Sequence, residues 1–312
     1  MRTKGYIALW LLLTASLLAA CSGDDAPAAS AESQEIRFNA DIWQVMSATR
    51  ATTFDGGTLT SGSFTASAYY ANTTTEYISP VQVNWVTDEW VFSDGKHFWP
   101  AGNLDFFAYM PATKPDYISS ITYAVSGEPA APNPYFTCAD LPMTNSGQSS
   151  LNEFVYALET GQNKTDNASG VELSFKRPFA LIKLQLSDSQ ADIHINTITL
   201  KSLKTGGTCS FNGSASTWSS LTPAENSPNF VATLNSDYSA NGEIGTYIMV
   251  PQSWAGEIEV NASWTDWGES LPHTLSATIP AHSWAAGTRY TYTFDITETD
   301  LKVSTTKFTE QW

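Results

Sequence analysis

Short segments of alternating apolar and polar residues, cut apart by turn residues, constrain this chain more than any other feature. In EIRFNADIWQVM, Ile36, Phe38, Ala40 and Ile42 recur at every second position, the period of a half-buried strand. VQVNWVTDEWVF keeps Val81, Val83 and Trp85 in one phase. FTASAYYA, VELSFKRPFALIKLQL, IHINTITLKSL, GTYIMVP, GEIEVNASWTDW, LSATIP and TRYTYTFDIT also read as strands, and LDFFAYMP is a short apolar run ended by Pro111. Turn signals separate them: DGG, SDG, PAG, TGG, FNG and AAG. No long amphipathic helix is present. The expected fold class is therefore all-β, built as sandwiches or barrels.

Three local expectations follow. SLNEFVYALE (Ser150–Glu159) is the best helical segment, with Ser150 as N-cap and Glu153 at the capping-box position. SGEPAAPNPYFTCADLPMTNSGQSS is Pro-rich and reads as a long loop, and KTGGT (Lys204–Thr208) reads as a turn. A boundary near GQNKTDNASG would leave an N-terminal β-domain over 36–165 and a C-terminal one over 166–312.

The chain has 312 residues, with 15 Lys+Arg against 31 Asp+Glu and a net charge of −16. Such a surface repels phosphate backbones, which argues against nucleic acid as a partner. Charge is sparse and aromatics are frequent, as in a rigid β-protein with an extracellular life.

MRTKGYIALWLLLTASLLAAC has a basic start (Arg2, Lys4), an apolar run and small residues before Cys21. Residues 1–20 read as a secretory signal peptide. Leu18-Ala19-Ala20-Cys21 resembles a bacterial lipobox, so Cys21 is the expected lipidation site and a lipid anchor in the outer membrane the expected location. Residues 21–35 then form a small, polar, acidic tether. Its Asp24-Asp25 pair reads either as a surface-export signal or as plain linker. Cys138 and Cys209 remain, and two cysteines make no disulfide framework. They are expected as separate thiols.

Chemistry-bearing constellations are missing. His97, His194, His273 and His282 are scattered without metal-ligand spacing. There is no nucleophile elbow and no P-loop, so no catalytic residue, metal or cofactor is assigned. Trp264 and Trp267 lie in one hairpin segment with Trp254 upstream and Trp284 downstream. They read either as core and hairpin packing or, for Trp264 and Trp267, as a platform for a glycan ligand.

Four ordered stretches then resemble the fimbrillin-like lipoproteins, subunits of the type V pili of Gram-negative anaerobes. They are FSDGKHFWPAGNLDFFAYMP, LSFKRPFALIKLQL, GTYIMVPQSW and WAAGTRYTYTFDI. Arg177-Pro178 stands where that family usually has a His. The resemblance implies two tandem transthyretin-like Greek-key β-sandwich domains and no catalytic site. It also implies a maturation route. An Arg-specific protease cuts behind the first strand, the strand leaves with the lipid, and a neighbouring pilin subunit fills the groove. Arg50 is the only basic residue between Arg37 and Lys96. The expected cut is therefore Arg50/Ala51, removing the strand Ile36–Met46. The expected donor tail carries Leu301, Val303, Thr305, Phe308 and Trp312. That tail also reads as the last strand of its own domain. The second functional reading is an uncleaved surface lipoprotein that binds glycan in a nutrient-uptake complex, or an uncleaved anchor subunit at the pilus base.

Overall fold

The computed structural model describes residues 33–42, 57–58, 60–188, 193–212, 215–223, 229–239, 241–263, 273–297 and 299–311. Within it Gln34–Trp312 clusters as one compact unit. The architecture is all-β, as the alternation requires.

The first sandwich places β1 (Phe38–Ile42) between β2 (Gly57–Thr58) and β12 (Val171–Phe175). Its second sheet holds β3 (Ser63–Tyr70), β4 (Glu76–Val86), β5 (Glu89–Phe92), β6 (Leu104–Met110) and β11 (Val155–Gln162), ordered β11-β6-β3-β4-β5. β4 and β5 form a hairpin, so VQVNWVTDEWVF is two strands. Thr87 and Asp88 at its tip both have positive φ (48° and 68°), the turn geometry that matches hairpin twist.

The second sandwich pairs β13 (Ala180–Leu186), β18 (Glu243–Met249), β23 (Thr288–Ile296) and β24 (Leu301–Gln311) in the order β18-β13-β23-β24. The sheet across its core is β17-β14-β20-β21, from β14 (Ile193–Leu200), β17 (Phe230–Tyr238), β20 (Glu257–Ser263) and β21 (His273–Thr278). Trp254 and Trp284 are buried in this core, which settles them as packing residues.

A third sheet draws on both halves of the chain. β7 (Ile118–Thr122), β10 (Tyr135–Cys138), β15 (Lys204–Asn212) and β16 (Ala215–Pro223) run in the order β16-β15-β10-β7. Short pairs β8 (Val125–Ser126) with β9 (Ala131–Pro132) and β19 (Ser253–Trp254) with β22 (His282–Ser283) complete the strands. Phe136, Cys138, Cys209 and Phe211 of the third sheet share a cluster with Phe107, Tyr156 and Leu158 of the first sandwich and Leu181 and Ile248 of the second. Those residues sit on the outer faces of β6, β11, β13 and β18, so these strands are buried on both sides. That explains a run such as Phe106–Met110, which is apolar throughout instead of alternating.

The same double burial overturns the helical expectation at Ser150–Glu159. Val155 and Ala157 enter the first core while Tyr156 and Leu158 enter the third cluster. The segment carries β11, and an apolar run of that length does not distinguish helix from buried strand. The helix, α1, lies just before it at Asn145–Ser149, with Thr144 accepting from the Gly147 amide. Glu153 lies outside the helix. Its Oε1 accepts from Arg177 Nε at 2.8 Å, with side chains 1% and 2% exposed. Burial pulls the Arg177 pKa down from its ordinary value, and Glu153 opposes that shift.

Two more expectations need correction. The Pro-rich segment expected as loop contains β10, an inner strand of the third sheet. KTGGT is the start of β15, not a turn. The backbones approach so closely there that a Cβ on Gly206 would lie 2.3 Å from the Ala139 carbonyl. The glycine pair reports close strand packing and a register slip against β16.

Cys138 and Cys209 are free and buried. Burial drives both thiol pKa values upward. Neither should react with an aromatic disulfide reagent in mildly alkaline native buffer, and both should react in denaturant. Peptide mapping of the labelled thiols checks this. Native labelling of either would show that the third sheet opens.

Candidate functional site

The site is built around β1. Ile36, Phe38, Ala40 and Ile42 are all buried, in the phase that the alternation predicts. The Phe38 ring lies 5.7 Å from Phe64, 5.3 Å from Phe92 and 5.5 Å from Phe106. β1 is thus an inserted strand, sealing the aromatic core of the first sandwich. Burying Ile36, Phe38 and Ile42 contributes on the order of 5–9 kcal/mol, at about 1.5–3 kcal/mol per large side chain. An emptied groove would lose that term, so any departure of β1 calls for a replacement strand.

On one edge β1 pairs in parallel with β12, from Phe38 opposite Val171 to Ile42 opposite Phe175. The Val171 amide donates to the Arg37 carbonyl at 2.8 Å. Asn39 Nδ2 donates to Glu172 Oε1 at 2.6 Å and Ser174 Oγ to Asp41 Oδ1 at 2.8 Å. Gly170, at φ 125°, turns the chain into β12 directly against Arg37. Sequence reading treats VELSF only as the opening of the second domain. Its alternation was visible, but its partner lies 133 positions upstream, and nothing local names it.

On the other edge of β1, among the described residues, β2 pairs with Asp41 and Ile42. At the start of the strand, the Ile36 amide donates to the His97 carbonyl at 2.8 Å and the Trp99 amide to the Gln34 carbonyl at 3.0 Å. Lys96 Nζ lies 2.8 Å from Glu35 Oε2 there and, as the main cause, lowers the Glu35 pKa. This exposed pair contributes little to stability.

Ile42 and Gly57 are opposite each other in the antiparallel β1–β2 pair, and residues 43–56 lie between them in the sequence. Arg50 and Ala51 fall in that segment and lie outside the described residues, as do Cys21, Trp264, Trp267 and Trp312. The tail is described as far as Gln311. β24 pairs antiparallel with β23 of its own chain, Leu301 opposite Ile296 and Thr305 opposite Tyr292. Leu301 is buried and Val303 half-buried against the second core, while Ser304 to Lys307 are exposed. The pairing is continuous from Leu301 to Phe308, and the register slips between Phe308 and Gln311. Among the described residues β24 is the edge of its sheet, with no strand paired on its outer side.

Among the described residues, no group of three or more His, Cys, Asp or Glu is arranged to hold a metal ion. Asp105, a buried acid, is structural: it accepts from the Asn72 and Gly161 amides at 2.8 and 2.7 Å and from Tyr123 at 3.1 Å. Burial, then Asp105 itself, drives the Tyr123 pKa upward.

No curated protein matches the chain. Solved structures do. A putative cell adhesion protein from Bacteroides ovatus superposes with a TM-score of 0.53 at 17% identity, covering 90% of this chain and 98% of that one. A second putative cell adhesion protein, from Bacteroides uniformis, gives 0.53 at 15% identity, covering 88% and 98%. A fimbrial protein from Bacteroides vulgatus gives 0.51 at 15% identity, with the same coverage. At such identities the likeness is one of fold. The sequence profile described as fimbrillin-like matches residues 49–312, beginning just after β1 and running through both sandwiches. The chain belongs to the fimbrillin-like family.

Proposed function

We propose that this chain is a pilus subunit or pilus-associated adhesin, exported as a lipoprotein through Cys21 and cut after Arg50 by an Arg-specific protease. Its β1 then leaves with the anchor, and the Leu301–Trp312 segment of a neighbouring subunit takes its place. The observation that carries this reading is β1 itself. It is a separate, short, fully seated strand, and the stretch that follows it holds a single basic residue. The donor is an edge strand exposed from Ser304 to Lys307 and held to the second core at Leu301 and Val303. Strand replacement restores both the backbone ladder and the core. Repeated head to tail, the contact does not close on itself and builds a fibre.

Arg50→Ala tests this. A substitution of this kind should change stability by no more than about 0.5 kcal/mol. It should still stop release from the anchor and abolish polymer growth. Mass spectrometry of wild-type surface material should find chains beginning at Ala51. Polymers made by the Arg50→Ala chain would overturn the reading. Chains that all begin at acylated Cys21 would instead identify an uncleaved anchor subunit or glycan-binding lipoprotein.

A further inference from the structure

A cavity of about 740 Å³ lies against the first sandwich, away from β1 and β24. That volume falls within the range of small-molecule sites, about 300–1,000 Å³. Ser63 of β3 and Gln82 of β4 border it. Both are one residue out of phase with Phe64 and Val83, which enter the first core. Its walls come from residues 111–117, between β6 and β7, and from residues 139–152, which run from β10 through α1 to β11.

Hydrogen bonds tie these walls together. The Tyr117 hydroxyl donates to the Asn152 carbonyl at 2.6 Å, and the Ala139 amide donates to the Tyr117 carbonyl at 2.9 Å. Thr65 Oγ1 donates to the Ala112 carbonyl at 2.8 Å. Pro111, Pro115 and Pro142 restrict the backbone further. The cavity is therefore pre-formed, and a ligand orders little of the chain on entering it.

The lining selects the ligand class. Thr113, Asp116, Asp140 and Asn152 are exposed, and no side-chain hydrogen bond among the described residues engages them. Ionised carboxylates only accept, whereas Asn and Thr both donate and accept. Adjacent hydroxyl groups on a ligand can meet both kinds. The proline rings offer rigid apolar surface to its C–H groups. Lys114 is the one ammonium in the lining, and its Nζ donates to the Ile118 carbonyl at 2.6 Å. Two carboxylates against one engaged ammonium disfavour an anion. Three prolines without an N–H make a poor ladder for an extended peptide.

We infer that this cavity binds a neutral saccharide. The inference deepens the adhesin reading above and rests on it. No residue of β1 or β24 lines the cavity, so strand exchange would leave the site intact.

The probe is a glycan array with three arms: neutral mucin-type oligosaccharides, neutral fragments of plant and bacterial polysaccharides, and sialylated oligosaccharides. The uncleaved full chain is applied to it, and each bound sugar is then titrated calorimetrically. A sugar of the first or second arm should bind, and the arm identifies its source. Asp140→Ala should weaken that binding by about ten-fold and Asn152→Ala by about five-fold. Both residues are exposed, so thermal melting should not change. The Arg50→Ala chain should bind like the wild type. No binding in any arm, binding confined to sialylated sugars, or equal binding by the wild type and both cavity variants would overturn the inference. Polymers made by the Arg50→Ala chain would overturn the maturation route and leave the cavity standing. Normal maturation without sugar binding would overturn the cavity alone.

Discussion

Replacing Arg177 with methionine should lower the unfolding free energy by about 3–5 kcal/mol. Arg177 lies between β12 and β13, where the chain passes from the first sandwich to the second, and Glu153 lies just before β11. Their side chains are 2% and 1% exposed and meet at 2.8 Å. Methionine keeps much of the length of the side chain and removes the charge that faces the buried Glu153 carboxylate. The penalty is that of breaking a buried pair on one side, not the net contribution of the pair, because bringing both groups out of water offsets most of their attraction. The double change Glu153→Leu/Arg177→Met should therefore recover most of the loss. Denaturant titration followed by tryptophan fluorescence measures both. A single-variant loss below about 1 kcal/mol would mean that water reaches the pair.

Phe38→Ala should cost the uncleaved chain a similar amount, about 3–5 kcal/mol, since it removes a ring packed against Phe64, Phe92 and Phe106. Its effect on assembled material is different. If β1 leaves and a neighbour's strand replaces it, the polymer no longer contains residue 38, and its resistance to denaturant should match the wild type. Comparing the melting of precursor and of polymer reads this directly. Equal destabilisation of both would show that β1 stays in the fibre. A hinge or loop role for β1 would give no loss in either.

The sequence was most legible where one face of a strand is buried and the other is wet. Ile36, Phe38, Ala40 and Ile42 declare their inward face by period alone, and the structure seats all four. It was least legible where a strand is covered on both sides. Residues 155–158 are apolar without a period, so a short helix and a doubly buried strand look alike, and the structure chose the strand. Glu153 and Arg177 each resemble ordinary surface charges when read alone, and their pairing exists only once the crossing segments meet. The glycines of KTGGT look like a turn because a turn is the commonest use of a glycine pair; here they admit a neighbouring backbone.

By itself, then, the sequence determined the all-β class, the inward face of β1 and the lone arginine that follows it. These are properties of local period and composition, carried by neighbouring residues. Only the tertiary structure decided that β1 lies between β12 and β2 and that a third sheet joins both halves. Those features depend on pairings across long stretches of chain. The backbone groups that make them are the same at every residue, so the sequence leaves the choice of partner to the packing of the whole.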